Sequence, residues 1–420
     1  MTRQLWYITK YFAPEDAVSA GSRGWNLVKN LDNERYKTTV FTSDSNMFLR
    51  QGPNREAVEE YLKDGVRLVF LKTLKYTSSR SLRRIIGWLH FEFRLLSLSK
   101  RSYPRPDVIL VSSLSIFTIA SGLFFSWRYK SALIFEVRDI WPLTLVEEGG
   151  ASRYNPAILL ISWLEKLGYL RSDGIIGTMP NLDEHVKKVT GHNLAVSCLP
   201  MGVSNFQISN RQDLPDTFIN RYFGTGKMTV VYAGSIGTTN ALDVLFAAAR
   251  ICDSSNSIEF VVVGDGDLKQ PYMELTQDLK NVRFAPKVPP NQVQAVLNEA
   301  DVVYFSTFPS LVWNYGQSLN KIVDYMLAGK PIIGSYSGFY SMINEAECGY
   351  FVEANNAEAL ADIFFHILQM PPEDRVEMGR RGQKWITENR PYEGLAEEFA
   401  DILDKGVRVK TRNGRGETHV

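Results

Sequence analysis

The sequence predicts an α/β protein made of two doubly wound parallel-sheet domains. Apolar, β-rich runs alternate with helix-like patterns along almost the whole chain, the series runs twice, and a polar stretch separates the two series. A length of 420 residues leaves room for two or three domains.

The first series comprises QLWYI (4–8), TTVFT (38–42), VRLVF (66–70), VILVS (108–112), ALIFEV (132–137), GIIGT (174–178) and LAVSCL (194–199). The second comprises MTVVYA (228–233), IEFVVVG (258–264), NVRFA (281–285), DVVYFS (301–306), KPIIG (330–334) and GYFV (349–352). Uninterrupted apolar runs suit parallel strands covered by helices on both faces. The two Rossmann-like domains are expected to face each other across a cleft, because ligands of such sheets bind beyond the carboxyl ends of the strands. Residues 1–205 read as the first domain and 227–385 as the second, with the polar stretch 206–226 as the linker. A C-terminal helix over 386–405 is expected to cross back to the first domain. The basic, glycine-containing 406–420 reads as a disordered tail.

Composition narrows the function. Hydrophobic residues at 45% and charged residues at 22% fit a globular protein with large cores. A formal net charge of +1 provides no electrostatic footprint for nucleic acid. Cys198, Cys252 and Cys348 are far apart and odd in number, which fits neither a disulfide framework nor a CxxC metal site and points to a reducing cytoplasm. The apolar run of MTRQLWYITKYF is too short for a secretory signal. Val108 to Trp127 carries no charge over 20 residues, long enough to span a bilayer. It also divides into a buried strand and a helix, the favoured reading.

Lys72 to Arg105 holds nine Lys or Arg and one acid, Glu92. Leu82, Ile85, Ile86, Leu89, Phe93 and Leu96 recur at helical spacing, with Arg83, Arg84 and Arg94 off that stripe. Such a segment either lies on an anionic membrane surface or packs on a core with a solvated basic face.

Three glycine-bearing segments follow strands. PEDAVSAGSRG (14–24) places Gly21 and Gly24 before a helix; AGSIGTTNAL (233–242) places Gly234 and Gly237 beside Ser235, Thr238 and Thr239; VVGDGDLKQPY (262–272) contains Gly264 and Gly266. Glycine permits close backbone approach, and a helix N-terminus favours anions. Asp265 and Asp267 form a DxD, but this is the usual strand-to-turn ending of such a unit, and no metal is expected there. In YGQSLNKIVDYMLAGKPII (315–333), Ser318 reads as an N-cap, Asn320 opens the helix, and Lys321 adds a positive charge for a diphosphate. Asp324, one turn on, is placed to accept hydrogen bonds from vicinal hydroxyls.

In this order, VVYAGSIGTTNAL, FVVVGDGD, VRFAPKVPPNQVQAVLNEADVVYFS and SLNKIVDYMLAGKPII, with YFAPEDAVSAGSRG and FEVRDIWP ahead of them, resemble the family-4 retaining glycosyltransferases of GT-B fold over nearly the whole chain. SxNKxxDYMxAGKP looks like a bacterial branch building O-antigen or capsule, similar to N-acetyl-fucosamine-type transferases. The resemblance implies a metal-independent hexosyltransferase without cofactor. It would move a sugar from a nucleotide-diphosphate donor, expected to be a UDP-sugar, to a polyprenyl-diphosphate-linked glycan at the inner face of the plasma membrane. It implies that Asp139 faces the donor sugar and acceptor, that Gly21 lies against the donor phosphates or acceptor, that Lys321 contacts the diphosphate and that Asp324 binds the ribose. Gly234, Ser235, Gly237, Thr238, Gly264, Ser318 and Asn320 complete the expected donor set. Arg138, Arg83 and Arg84 fall to the acceptor or the membrane. Two departures stand out: Gly316 occupies the first acidic position of the family's acidic pair, and Ser235 and Asn240 replace the usual basic residues of the second domain's first turn. A UDP-sugar 2-epimerase-like isomerase and a non-catalytic nucleotide-sugar-binding partner are the alternatives.

Overall fold

A computed structural model describes residues 2–46, 49, 57–75 and 82–414. Each apolar run of the sequence is a strand. In the first series these are β1 (Arg3–Ile8), β2 (Tyr36–Ser43), β4 (Val66–Leu71), β5 (Val108–Ser112), β6 (Ala132–Val137), β7 (Gly174–Gly177) and β8 (Val196–Cys198). One further strand, β3 (Val58–Lys63), has no counterpart in the sequence reading. Its VEEYLK carries charges and lies exposed, as an edge strand does. It runs antiparallel to β4 through Asp64 and Gly65, both at positive φ, the Asp-Gly signature of a tight hairpin. The sheet order is β3-β4-β2-β1-β5-β6-β7-β8, parallel apart from β3.

The second series gives β9 (Met228–Ser235), β10 (Ile258–Asp265), β11 (Val282–Ala285), β12 (Val302–Ser306), β13 (Ile332–Ser335) and β14 (Gly349–Val352). They form a parallel sheet ordered β11-β10-β9-β12-β13-β14. In each sheet the first strand lies between strands reached in opposite directions. The topological switch therefore falls between β1 and β5 in one sheet and between β9 and β12 in the other.

The chain divides into two units. Unit 1 is Met1–Asp16, Ala20–Pro200 and Tyr392–Val420; unit 2 is Ala17–Ser19 and Met201–Pro391. The segment 206–226 is more than a linker. It holds most of the short helices Asn205–Ser209 and Asp216–Tyr222, and Leu214, Phe218, Ile219, Tyr222 and Phe223 pack into the core of unit 2.

The C-terminal region also departs from expectation. The helix Pro372–Asn389 ends at Arg390, and a new helix, Tyr392–Gly414, belongs to unit 1. Tyr392, Leu395, Phe399 and Leu403 are buried in its core. Residues 406–414, expected to be disordered, continue this helix. A Cβ on Gly406 would lie 2.3 Å from Ile134 Cδ1, so the glycine marks close packing, and Lys410 Nζ lies 3.4 Å from Asp173 Oδ2. Residues 415–420 and Arg80 lie outside the described residues.

Val108 to Trp127 is β5 followed by most of the helix Thr118–Tyr129. Among the described residues no helix is long and apolar enough to cross a membrane.

Candidate functional site

The richest chemistry in unit 2 gathers at the β9/β12 switch. The buried runs of β9 and β12 fix their carboxyl ends, and Ser306 Oγ at the end of β12 donates to Asn240 O at 2.6 Å. Asn240 closes the 3₁₀ turn Thr238–Asn240 that follows β9, and its Nδ2 donates to Ser235 O at 2.9 Å. Across this turn lies Lys321, in the first turn of the helix Asn320–Leu327. Its Nζ donates to Asn240 Oδ1 at 2.5 Å and to Tyr232 Oη at 3.1 Å, and sits 4.6 Å from the centre of the Tyr232 ring. These are neutral oxygens and a ring face. Among the described residues no carboxylate pairs with this ammonium. Burial lowers its pKa to about 7. A partly neutralised lysine beside helix N-terminal amides, with no acid pairing it among the described residues, has the chemistry to receive an anion.

Asp324 lies one turn along the same helix. Its Oδ1 accepts from Gln207 Nε2 at 3.1 Å, and its backbone oxygen accepts from Gln294 Nε2 at 3.0 Å. Burial raises its pKa to about 6, against the opposing effect of the Gln207 hydrogen bond. Gln207 is itself placed by a capping box, in which Ser204 Oγ accepts from Gln207 N and Gln207 Oε1 accepts from Ser204 N. The next residue, Tyr325, bonds both backbone groups of Ala233 at the end of β9. This pins the helix to the strand end.

The glycines divide by role. Gly264 has φ 155°, and a Cβ there would lie 1.9 Å from Gly234 O. Gly266 has φ 157°, and a Cβ there would lie 2.2 Å from Ile236 O. Both let the ends of β9 and β10 touch. A Cβ on Gly234 would come within 3.6 Å of Lys321 Nζ, whereas one on Gly237 would meet only Ser235 Oγ at 3.8 Å. No crowding requires glycine at 237. Asp265 Oδ1 accepts from Gly266 N, so the DxD shapes its own turn. Among the described residues no group of three or more His, Cys, Asp or Glu is arranged to hold a metal ion.

Ser318 is not the N-cap. Leu319 holds that position, without a side-chain cap, and Asn320 is the exposed first helical residue. Ahead of them Gly316 caps a 3₁₀ turn, Leu311–Tyr315, at φ 111°. The adjacent Gln317 has both Nε2 and Oε1 buried without a hydrogen-bond partner. An unpaired buried polar group costs about 1–3 kcal/mol.

The other predicted residues belong to unit 1. Gly21, at φ 76°, lets the 13–24 loop fold tightly: a Cβ there would lie 2.8 Å from Ala13 O, Glu15 N and Trp25 Cδ1. Asp139 and Arg138 follow β6, where Ser113 Oγ accepts from Arg138 N at 2.8 Å and donates to Asp139 O at 3.1 Å. Burial raises the Asp139 pKa, while the charges of Arg138 and Arg84 oppose it. Burial, with Asp139's charge behind it, also raises Glu148. Arg83 is exposed. Arg84 turns inward instead, donating to Tyr11 Oη at 3.4 Å and stacking 5.0 Å from the Trp88 ring centre.

Beneath them lies a fully buried ion pair that sequence reading missed, Arg23 with Glu136. Tyr7 Oη donates to Glu136 Oε2 at 2.8 Å, and Arg23 also donates to Leu199 O at 2.6 Å and Pro200 O at 3.2 Å. GSRG and FEVRD contain both residues, but sequence spacing carries no signal that they meet.

Residues 227–370 match the family model described as glycosyl transferases, group 1. Over these residues unit 2 is similar to the group 1 glycosyl transferases. Lys321, Asp324 and the β9 turn all lie within this span. No curated protein sequence matches the chain. Among solved structures, the chain is similar to sucrose-phosphate synthase from Thermosynechococcus elongatus, with 16% identity, TM-score 0.73, and 96% of this chain and 98% of that one covered. It is also similar to HepE from Anabaena, solved with UDP and glucose, with 12% identity, TM-score 0.66, and 96% and 99% covered. A trehalose-6-phosphate protein from E. coli bound with UDP-2-fluoro glucose gives 11% identity, TM-score 0.71, and 95% and 98% covered. These likenesses extend over both units and show the GT-B fold.

Proposed function

We propose that this protein is a retaining transferase that moves a sugar from a UDP-sugar to a polyprenyl-diphosphate-linked glycan in bacterial surface-polysaccharide synthesis. The observation that carries this reading is Lys321: a half-buried cation at a helix start, beside the β9/β12 switch, bonded among the described residues only to neutral oxygens. Structural neighbours solved with UDP or UDP-sugar support a uridine diphosphate as the anion.

In this reading Lys321 and the first-turn amides stabilise the charge that develops on the departing diphosphate, and Asp324 accepts from the ribose hydroxyls. As the bond from the anomeric carbon to the diphosphate oxygen breaks and the diphosphate leaves with the electron pair, the acceptor oxygen bonds to that carbon from the same face. A donor phosphate oxygen takes the acceptor's proton, so no dedicated protein base is required. Asp139 is assigned to orienting the acceptor hydroxyl, with Arg138 nearby. The test is a thermal-shift series with UDP, GDP, dTDP and CDP. UDP at 100-fold over its Kd is expected to stabilise the protein by about 2.7 kcal/mol. Equal responses to all four would reject the UDP assignment.

A membrane-borne acceptor draws support from unit 1. The helices Leu82–Ser97, Thr118–Tyr129 and Pro156–Arg171 are neighbours, the middle one packing on both others. They expose Ile86, Leu89, Phe93, Trp127, Leu160 and Trp163. Their two acids, Glu92 and Glu165, are buried, whereas Arg83, Arg128, Lys166 and Arg171 are exposed. A surface whose exposed charges are cations around tryptophans fits an anionic bilayer. The protein is expected to sediment with phosphatidylglycerol vesicles and less with phosphatidylcholine, with binding weakened by salt. Trp127→Glu with Trp163→Glu should abolish sedimentation and leave UDP binding intact. Unchanged sedimentation would remove this face from the membrane contact.

A further inference from the structure

The acid that the resemblance expects at position 316 is absent, and the backbone explains why it is not simply replaced in place. Gly316 sits at φ 111°, a conformation that side-chain-bearing residues rarely adopt. The neighbouring residue offers a different chemistry. Gln317 stands four residues before Lys321 and seven before Asp324, in the short segment between the 3₁₀ turn and the site helix. Its amide nitrogen and oxygen are both buried, and neither has a partner among the described residues. Just ahead of it, at the 3₁₀ turn, Ser310 Oγ accepts from Val312 N and Trp313 Nε1 donates to Phe308 O. Local packing thus satisfies polar side chains around it and leaves this one unmet.

We propose that Gln317 reads the sugar ring of the donor. The proposal rests on the nucleotide-sugar reading of Lys321 and Asp324 and assigns what the missing acid leaves open. A primary amide presents two donors and one acceptor, so it can pair with hydroxyls, each of which both gives and takes a hydrogen bond, or with an N-acyl group. A carboxylate in this place would only accept hydrogen bonds, whereas the amide also donates them. The amide is neutral, which suits a site whose cation is a single partly neutralised lysine. Its amide atoms are covered by protein. Engagement therefore takes a side-chain rotation within 316–319, a segment outside both flanking helical elements. Recognition by an otherwise unpaired buried amide is selective, because a donor lacking the matching group leaves that amide unpaired again.

The experiment compares wild type with Gln317→Met, close in shape and apolar, and with Gln317→Asn. Titrations use UDP and four donors: UDP-glucose, UDP-galactose, UDP-N-acetylglucosamine and UDP-N-acetylgalactosamine. Melting temperatures of the free proteins are measured alongside. For the tightest donor, Gln317→Met should raise Kd about tenfold or more while Kd for UDP stays within about twofold. Free Gln317→Met should melt no lower than wild type, since the substitution removes an unmet polar group. Gln317→Asn should likewise weaken the sugar nucleotide and spare UDP. A structural role predicts otherwise: a lower melting temperature, with UDP and UDP-sugar affinities falling together. That result, or unchanged affinity for every donor, overturns the assignment. Wild type that binds UDP but none of the donors also overturns it and leaves the nucleotide site standing. Failure to bind UDP overturns the site reading and this assignment together.

Discussion

Lys321→Ala lowers sugar transfer by about 10²–10³-fold while the protein stays folded. The magnitude is that of removing one preorganised group facing developing charge. Here the group is the Lys321 ammonium, which no carboxylate pairs among the described residues, and a radiolabelled-donor assay on membrane extract measures the loss. Turnover at the wild-type rate would remove Lys321 from the mechanism. The pH profile adds a second readout. Burial lowers the free lysine to about 7, and a bound diphosphate, as an anionic partner, raises it again. UDP binding therefore takes up a proton above pH 7. Kd should be flat below pH 7 and weaken by up to about tenfold per pH unit above it. Lys321→Arg, which stays charged, should flatten that slope. Stability moves the opposite way. A pKa lowered by folding means that the folded state penalises the charged form, fully so below about pH 7, with relief as pH rises toward the unfolded value. Lys321→Met is accordingly expected to melt higher than wild type at pH 6.

Breaking the Arg23–Glu136 pair has the largest expected effect on stability. Both side chains are essentially fully buried, at 0% and 2% exposure, so either single change strands a charge in the core. Glu136→Ala or Arg23→Ala should cost about 3–5 kcal/mol in urea unfolding. The double change Arg23→Met with Glu136→Met should recover much of it, since the apolar pair strands no charge. A single-change cost below about 1 kcal/mol would show that water reaches the pair. Burial raises the carboxyl pKa, but the charges of Arg23 and Arg138 and the Tyr7 hydrogen bond outweigh it and hold Glu136 below 4.5. Its contribution is therefore complete above the unfolded value near 4.5 and is lost as pH falls through the lower folded value. Wild type should lose stability on acidification that the double variant does not.

The fold was legible where burial is two-sided. β9, β10 and β12 are continuous apolar runs because helices cover both faces, and each was visible as a strand. β3 was not, since an exposed edge strand need not be apolar; only Asp64-Gly65 marked it. Gly406 misled in the opposite direction: a glycine among basic residues reads as loose chain, yet here it lets a helix press against Ile134. At the candidate site, Lys321 and Asp324 stand out in the sequence by their place at a polar helix start. Tyr232, Gln207 and Gln317 do not. The first looks like any strand residue, the second arrives from a segment more than a hundred residues away, and the third is distinguished only by what fails to bond to it.

The division of the chain bears on the order in which the protein is made. Unit 2 is complete once Pro391 has been synthesised, whereas unit 1 begins at the first residue and still lacks the helix Tyr392–Gly414. Leu395, Phe399 and Leu403 of that helix fill the core formed by Leu5, Val40, Leu110 and Ile134. During translation the half encoded first therefore waits, with part of its apolar interior uncovered, until the half encoded second has folded and the last helix leaves the ribosome. The order of synthesis and the order in which the two cores can close are therefore opposed. A stop codon just after Pro391 would remove under a tenth of the sequence and leave its opening domain without a closed core.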